Sequence, residues 1–277
     1  MTPDPAPHAG MPDADGRAPS DGPPDPAPHS DSAGVPFAGR EFQPNPAAGD
    51  DGSADPRLTD AVARFRSGDA TLPEVIAVLH EVRVLAPLIA ERGDEGVGPH
   101  GQTVDKTQEL ALVTVAGPDG RGVLPVFSGV DALAAWNSEA RPVPVAASRV
   151  ALAAAGEGTE LLVLDPGSPG ELGVRRPAFR ALALGEPWIP AWDDADVLAA
   201  LGRATAGEGA VRDARLAAGD PDARLAAPEV VVELAVEPGL DRDGLDALVR
   251  RVAEAWAREE VVAQRVDSVA IRVVAAG

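Results

Sequence analysis

Apolar residues first recur at helical spacing just past residue 55. Asp55-Pro56 has the chemistry of a helix start, an N-cap followed by a proline in the first turn. Leu58, Val62 and Phe65 follow on one face, and Gly68 closes the helix. Thr71-Leu72-Pro73-Glu74 is a capping-box sequence that opens a second helix, with Val75, Val78 and Leu79 on its apolar face. Residues 82–89 then form a continuous apolar run, interrupted late by Pro87, and predict a buried strand. Residues 92–107 are polar and glycine-rich and read as a loop. Strands at 109–115 and 123–127, joined by the turn Gly117-Pro118-Asp119-Gly120, predict a hairpin. Ser128 stands as the N-cap of a short helix carrying Leu133 and Trp136.

Further along, the pattern gives a strand at 143–146, an alanine-rich helix at 148–155 ended by Gly156, and a strand at 161–164. That strand runs into Asp165-Pro166-Gly167-Ser168-Pro169-Gly170. No element is assigned to residues 171–185, and residues 186–192 read as a connector. Asp193 starts a helix carrying Val197, Leu198 and Leu201. Strands follow at 212–217 and 230–236. Leu245, Leu248, Val249, Val252 and Trp256 define an amphipathic helix, and a closing strand spans 266–274 with Val269, Ile271 and Val273 alternating. No repeat period is present. The pattern predicts an α+β fold: a mixed, largely antiparallel sheet with flanking helices over residues 55–190, then a smaller strand–helix–strand α+β unit over 191–277.

Residues 1–54 follow neither period. Prolines are frequent there, and two arginines, Arg17 and Arg40, face nine acids. Such a segment buries too little apolar surface to offset its ordering entropy and reads as a disordered, acidic, solubilising tail. A docking arm is the sharper reading, for which Val35, Phe37 and Phe42 are the available anchors. No basic start leads into an apolar core, and no apolar run reaches the roughly 20 residues of a spanning helix. The expected compartment is the cytoplasm.

Composition narrows the chemistry. The 277 residues contain no cysteine, which removes disulfides, thiolate catalysis and sulfur-held zinc. A net charge of −20, with no tyrosine and 3% aromatic residues, disfavours nucleic acid, whose recognition needs cations and stacking platforms. The same charge disfavours anionic membranes. Lys106 is the single lysine, in a bias toward Ala, Gly, Pro, Val, Asp and Arg that fits a GC-rich genome.

Candidate chemistry is sparse. Residues 96–101, Gly-Val-Gly-Pro-His-Gly, match a dinucleotide fingerprint literally, but that motif works only between a strand and a helix. Here a strand pattern follows it. His8, His29, His80 and His100 have no partners at metal-ligand spacing. Asp193, Asp194 and Asp196 gather at a helix start, where negative charge is stabilised anyway. Ser128 lacks a nucleophile elbow. The 165–170 turn could cradle an anion through backbone N–H groups, though two prolines remove two donors and a rigid turn is the simpler reading. No catalytic, cofactor-binding or metal-binding residue is assigned.

A resemblance gives these elements a context. Residues 106–127, Lys-Thr-Gln-Glu-Leu-Ala-Leu-Val-Thr-Val-Ala-Gly-Pro-Asp-Gly-Arg-Gly-Val-Leu-Pro-Val-Phe, are similar to the hairpin of SseB proteins, in which a Gly-Arg turn and a Leu-Pro-Val-Phe strand lead into a helix. Residues 161–170 resemble the family's apolar strand ending in a Pro-Gly turn, with Asp165 where many members have Asn. The helices from Asp55 and Thr71 stand where the family has its opening helices. Residues 210–277 look like the C-terminal region of actinobacterial members. The resemblance spans residues 55–277 and implies little biochemistry: the family is named for an effect on serine sensitivity, and it brings no catalytic residues. The expected function is a cytoplasmic, non-catalytic binding or regulatory module without a cofactor, acting on a protein partner or a small molecule. Pro125, Phe127, Trp136, Asp165, Pro166 and Gly167, near strand ends, are the candidate surface. The alternatives are an enzyme of amino-acid (serine) metabolism, suggested by the family name, and a homo-oligomer using a sheet edge or the C-terminal helix.

Overall fold

The computed structural model describes residues 49–89, 95–97, 103–105 and 113–276, and Gly49–Gly277 cluster as one compact unit. The anchors Val35, Phe37 and Phe42, together with His8, His29, His100 and Lys106, lie outside the described residues. So do residues 98–101 of the glycine motif and 109–112 of the predicted hairpin.

The opening helices form where their caps predict. In α1 (Pro56–Ser67) the Asp55 carboxylate accepts the Arg57 N–H at 2.9 Å, and Gly68 ends the helix at φ 83°. In α2 (Leu72–Glu81) the Glu74 carboxylate reaches back to the Thr71 N–H at 2.6 Å and its hydroxyl at 2.8 Å. The chain is held before Asp55 as well. Arg83 binds the Asp50 carboxylate at 2.6 Å, and the Val130 N–H donates to Gly52 O at 2.8 Å.

Strand β1 (Arg83–Leu88) is followed by β2 (Glu95–Val97) and β3 (Thr103–Asp105), a small antiparallel pair inside the stretch read as a loop. The glycine motif is thus followed by a returning strand. Strands β4 (Val115–Ala116) and β5 (Gly122–Val126) form the hairpin, its turn closed by the Gly120 N–H on Gly117 O at 2.9 Å. Helix α3 (Val130–Trp136), β6 (Arg141–Ala146), α4 (Ala147–Gly156), β7 (Leu162–Leu164), β8 (Leu172–Val174) and α5 (Arg176–Leu184) complete this half. The order is β4-β5-β7-β8, with β5 and β7 parallel and the other neighbours antiparallel.

The β1–β6 pair joins that sheet through one residue. Phe127 exchanges two backbone hydrogen bonds with Leu85, at 2.8 and 2.9 Å. Leu85 therefore turns its polar groups away from β6, and by alternation so does Pro87. Pro87 faces Pro142, and Leu85 faces Pro144. All three prolines fall at positions that exchange no bonds across the pair, so Pro87 does not break the strand.

The second half contains α6 (Ala195–Thr205), β9 (Val211–Ala218), β10 (Val230–Val236), α7 (Arg242–Ala257), α8 (Glu260–Arg265) and β11 (Val269–Ala275). Strand β10 lies between antiparallel β9 and parallel β11. The start of α6 is one residue later than the sequence suggests. Asp194, not Asp193, is the N-cap, accepting from the Asp196 and Val197 N–H groups.

Two main cores result. One gathers α1, α2, α4 and α5 with the first sheets and takes in Ala223 from the β9–β10 loop. The other packs α6, α7 and α8 on the β9–β10–β11 sheet around Trp256. The fold is α+β with mixed, mostly antiparallel sheets. Among the described residues no helix is long and apolar enough to cross a membrane.

Candidate functional site

Strands β5 and β7 run parallel and end side by side, which brings Ser128 next to Asp165. The Asp165 carboxylate accepts the Ser128 N–H at 2.7 Å through Oδ1 and its hydroxyl at 2.7 Å through Oδ2. Ser128 therefore does not cap α3, whose N-cap is Gly129 without a side-chain bond. The Asp165 backbone stands at φ 48°, the left-handed region that Asp and Asn tolerate better than most residues. Burial raises the Asp165 carboxyl pKa, against the lowering effect of both Ser128 hydrogen bonds.

This pair opens on a groove of about 530 Å³. Its long wall is one stripe of α1, including Leu58, Val62 and Ala63. Leu164, Asp165, Pro169 and Gly170 form the other wall, and Arg66 also lines the groove. The wall surface is mostly apolar, as in small-molecule sites generally. Arg66 is fixed by the carbonyls of Glu171 and Asp222.

The turn itself offers no anion cradle. The Gly167 N–H donates to the Glu171 carboxylate at 2.7 Å and the Ser168 N–H to Asp165 O at 3.1 Å. The Gly170 N–H donates to the Ser168 hydroxyl at 3.1 Å and the Glu171 N–H to Ser168 O at 3.2 Å. With Pro166 and Pro169 lacking N–H groups, every donor from 166 to 171 is spent internally.

Of the six candidate residues, Asp165 lines the groove. Pro125 is buried in β5 opposite Val163. Phe127 has 0% exposure, in a small cluster with Leu85 and Leu133. Half-buried Trp136 tilts against it, ring centroids 5.2 Å apart. Both aromatics are packing residues. Pro166 is half-buried, and Gly167 is exposed at the corner of the turn with φ 77°. The sequence pattern marked Leu58 and Val62 only as an apolar helix face and did not mark Ala63 or Arg66, because only the tertiary fold sets that helix beside the β7–β8 turn.

Residues 58–181 match the model of the SseB protein N-terminal domain. This segment is an SseB N-terminal domain. The matched segment runs from α1 into α5, so the SseB domain carries both walls of the groove. Neither the curated proteins nor the solved structures include a match to the chain.

Proposed function

We propose that the chain is a cytoplasmic, non-catalytic binding module whose groove takes a small amphipathic ligand. The ligand's apolar body lies along α1, and its cationic or hydrogen-bond-donating head meets Asp165. The observation that carries this is the mainly apolar groove with a carboxylate fixed at its edge by two bonds from Ser128. The net charge of −20 favours approach of a cation. The body is proposed to divide near residue 190 into two domains, since a separate core lies on either side.

Titration calorimetry with small aliphatic and aromatic amines tests the reading. Asp165→Asn keeps a residue that tolerates the left-handed backbone and an oxygen for the Ser128 N–H, so it should fold normally. Loss of a charge-assisted hydrogen bond is expected to weaken binding by roughly 10- to 100-fold. Lowering the pH should weaken wild-type binding as Asp165 takes up a proton. Equal affinity in both proteins would remove Asp165 from the site. Serine-nucleophile catalysis, the nearest enzymatic alternative, is the weaker reading. Ser128 bonds directly to a carboxylate, and the groove lining contains no imidazole to take its proton.

A second reading, self-association, has its own support at β11. Ser268 O and the Ala276 N–H face β10 at either end of that strand. By alternation Val269, Ile271, Val273 and Ala275 turn their backbone polar groups outward, on an edge with Val269 and Val274 exposed. An antiparallel β11–β11 dimer would satisfy them. Val273→Pro removes an outward N–H and leaves the bonds to β10 in place. Light scattering should find a wild-type dimer and a Val273→Pro monomer; a monomeric wild type at high micromolar concentration would end this reading.

A further inference from the structure

The loop between β9 and β10, residues 219–229, crosses from the second core onto the SseB domain. There the Gly173 N–H of β8 donates to Ala223 O at 2.6 Å. Arg224 reaches Pro169 O at 3.3 Å, and Arg66 holds Asp222 O. Arg175 binds the Asp220 carboxylate at 2.7 Å as well as Ala227 O. Ala223 and Leu225 stand at φ 48° and 57°, a backbone region that penalises non-glycine residues and persists where surrounding contacts enforce it. The loop is docked and strained at once.

At its base, Glu229 is 4% exposed. Its Oε2 accepts the Asp267 N–H at 2.6 Å, and its Oε1 has no partner among the described residues. Glu229 lines a cavity of about 20 Å³ together with Trp188, whose indole N–H is also buried and unpartnered. The charged side chains around it hydrogen-bond to other groups. Arg121 forks onto Asp267 at 2.7 and 2.9 Å, Arg175 bonds Asp220 and approaches Asp267 at 3.4 Å, and Arg176 points at the carbonyls of Ala263 and Val266. An ionised Glu229 would therefore be a buried charge beside the buried Asp267 carboxylate, offset only in part by Arg175 and Arg176, a costly arrangement.

We propose that loop 219–229 is a proton-gated clasp, closed on the SseB domain while Glu229 is neutral and opened when Glu229 ionises into solvent. Burial, with the neighbouring Asp267 carboxylate adding to it, pushes the Glu229 pKa up to about 7 from 4.5. With that carboxyl returning to its ordinary value on opening, linkage makes the open fraction rise about tenfold between pH 6 and pH 8. The clasp stands independently of what the groove binds. Its consequence for the groove, release of Arg66 from Asp222, rests on the binding reading above.

Trypsin cleavage after Arg224, read by mass spectrometry on the full chain, reports the open population. Rates are normalised to a free peptide spanning 219–229, which removes the protease's own pH dependence. The wild type is expected to show the tenfold rise from pH 6 to pH 8, and Glu229→Gln, which cannot ionise, a flat ratio. A flat wild type, or the same rise in Glu229→Gln, would overturn the clasp. Hydrogen exchange in the wild type alone provides a second arm that needs no variant. Protection of the Gly173 amide, corrected for intrinsic exchange, should fall about tenfold over the same interval while that of Leu162 stays constant. A parallel fall at both amides would mean general loosening and would also overturn the clasp.

Discussion

Asp267→Ala should cost about 3–5 kcal/mol of folding stability at neutral pH, the range found when one partner of a buried ion pair is removed. The Asp267 side chain has 0% exposure, and it accepts two bonds from Arg121, one at 3.4 Å from Arg175 and one at 3.1 Å from the Ser268 hydroxyl. Without it, Arg175 keeps Asp220 as its one carboxylate partner among the described residues while remaining almost fully buried. Burial opposes ionisation of Asp267, but the hydrogen bonds from Arg121, with help from Ser268 and Arg175, outweigh it and bring the carboxyl below 3.8. The folded pKa is therefore depressed, so the stabilisation is complete above about pH 4 and is lost as the pH falls through the lowered value. Urea denaturation should show the full deficit of Asp267→Ala at pH 7, shrinking at strongly acid pH. Glu229 has the opposite sign. Its raised pKa means that stability declines as the pH rises from 4.5 through about 7, by up to about 3 kcal/mol at 1.36 kcal/mol per unit.

Phe127→Ala should destabilise by a similar amount, about 3–5 kcal/mol, the usual cost of emptying a buried phenylalanine site. Phe127 fills the cluster with Leu85 and Leu133, and it stands where its backbone joins the β1–β6 pair to the main sheet. The small side chains nearby, Ala132 and Ala140, cannot extend into the space the ring leaves. A lower urea midpoint with an unchanged slope is the expected signature. The groove should keep its affinity for ligand in the fraction that remains folded. That separates Phe127 as a core residue from Asp165 as a groove-lining one, although the two lie close together at the ends of β5 and β7.

Local chemistry made much of the fold legible. Asp55, Gly68 and the Thr71–Glu74 box placed α1 and α2, while the apolar run in 230–236 and the alternation in 266–274 placed β10 and β11. Residues 171–185 were not legible, because β8 is three residues long and the nine-residue α5 follows within two residues, with Pro177 in its first turn. Both are too short to carry a repeated pattern. Helix α8, six residues long, escaped for the same reason. At the candidate site, Asp165 stood out through its place after a strand. Its partner Ser128 was misread as a helix cap, because a parallel β5–β7 pairing cannot be inferred from either strand alone. Glu229 did leave a trace in the sequence, as a carboxylate immediately before the apolar run Val230-Val231-Val232. What holds it in place is 38 residues away, at Asp267.

The groove is tested most directly by titrating the isotopically labelled full chain with a matched series of small amines, alcohols and carboxylic acids while following backbone amide shifts. Amines should move the amides of Leu58, Val62 and Ser128 in a saturable way, carboxylic acids should not, and Asp165→Asn should abolish the response while its spectrum stays folded. Shifts scattered away from α1 and the β7–β8 turn, or an undiminished response in Asp165→Asn, would contradict a ligand groove anchored at Asp165.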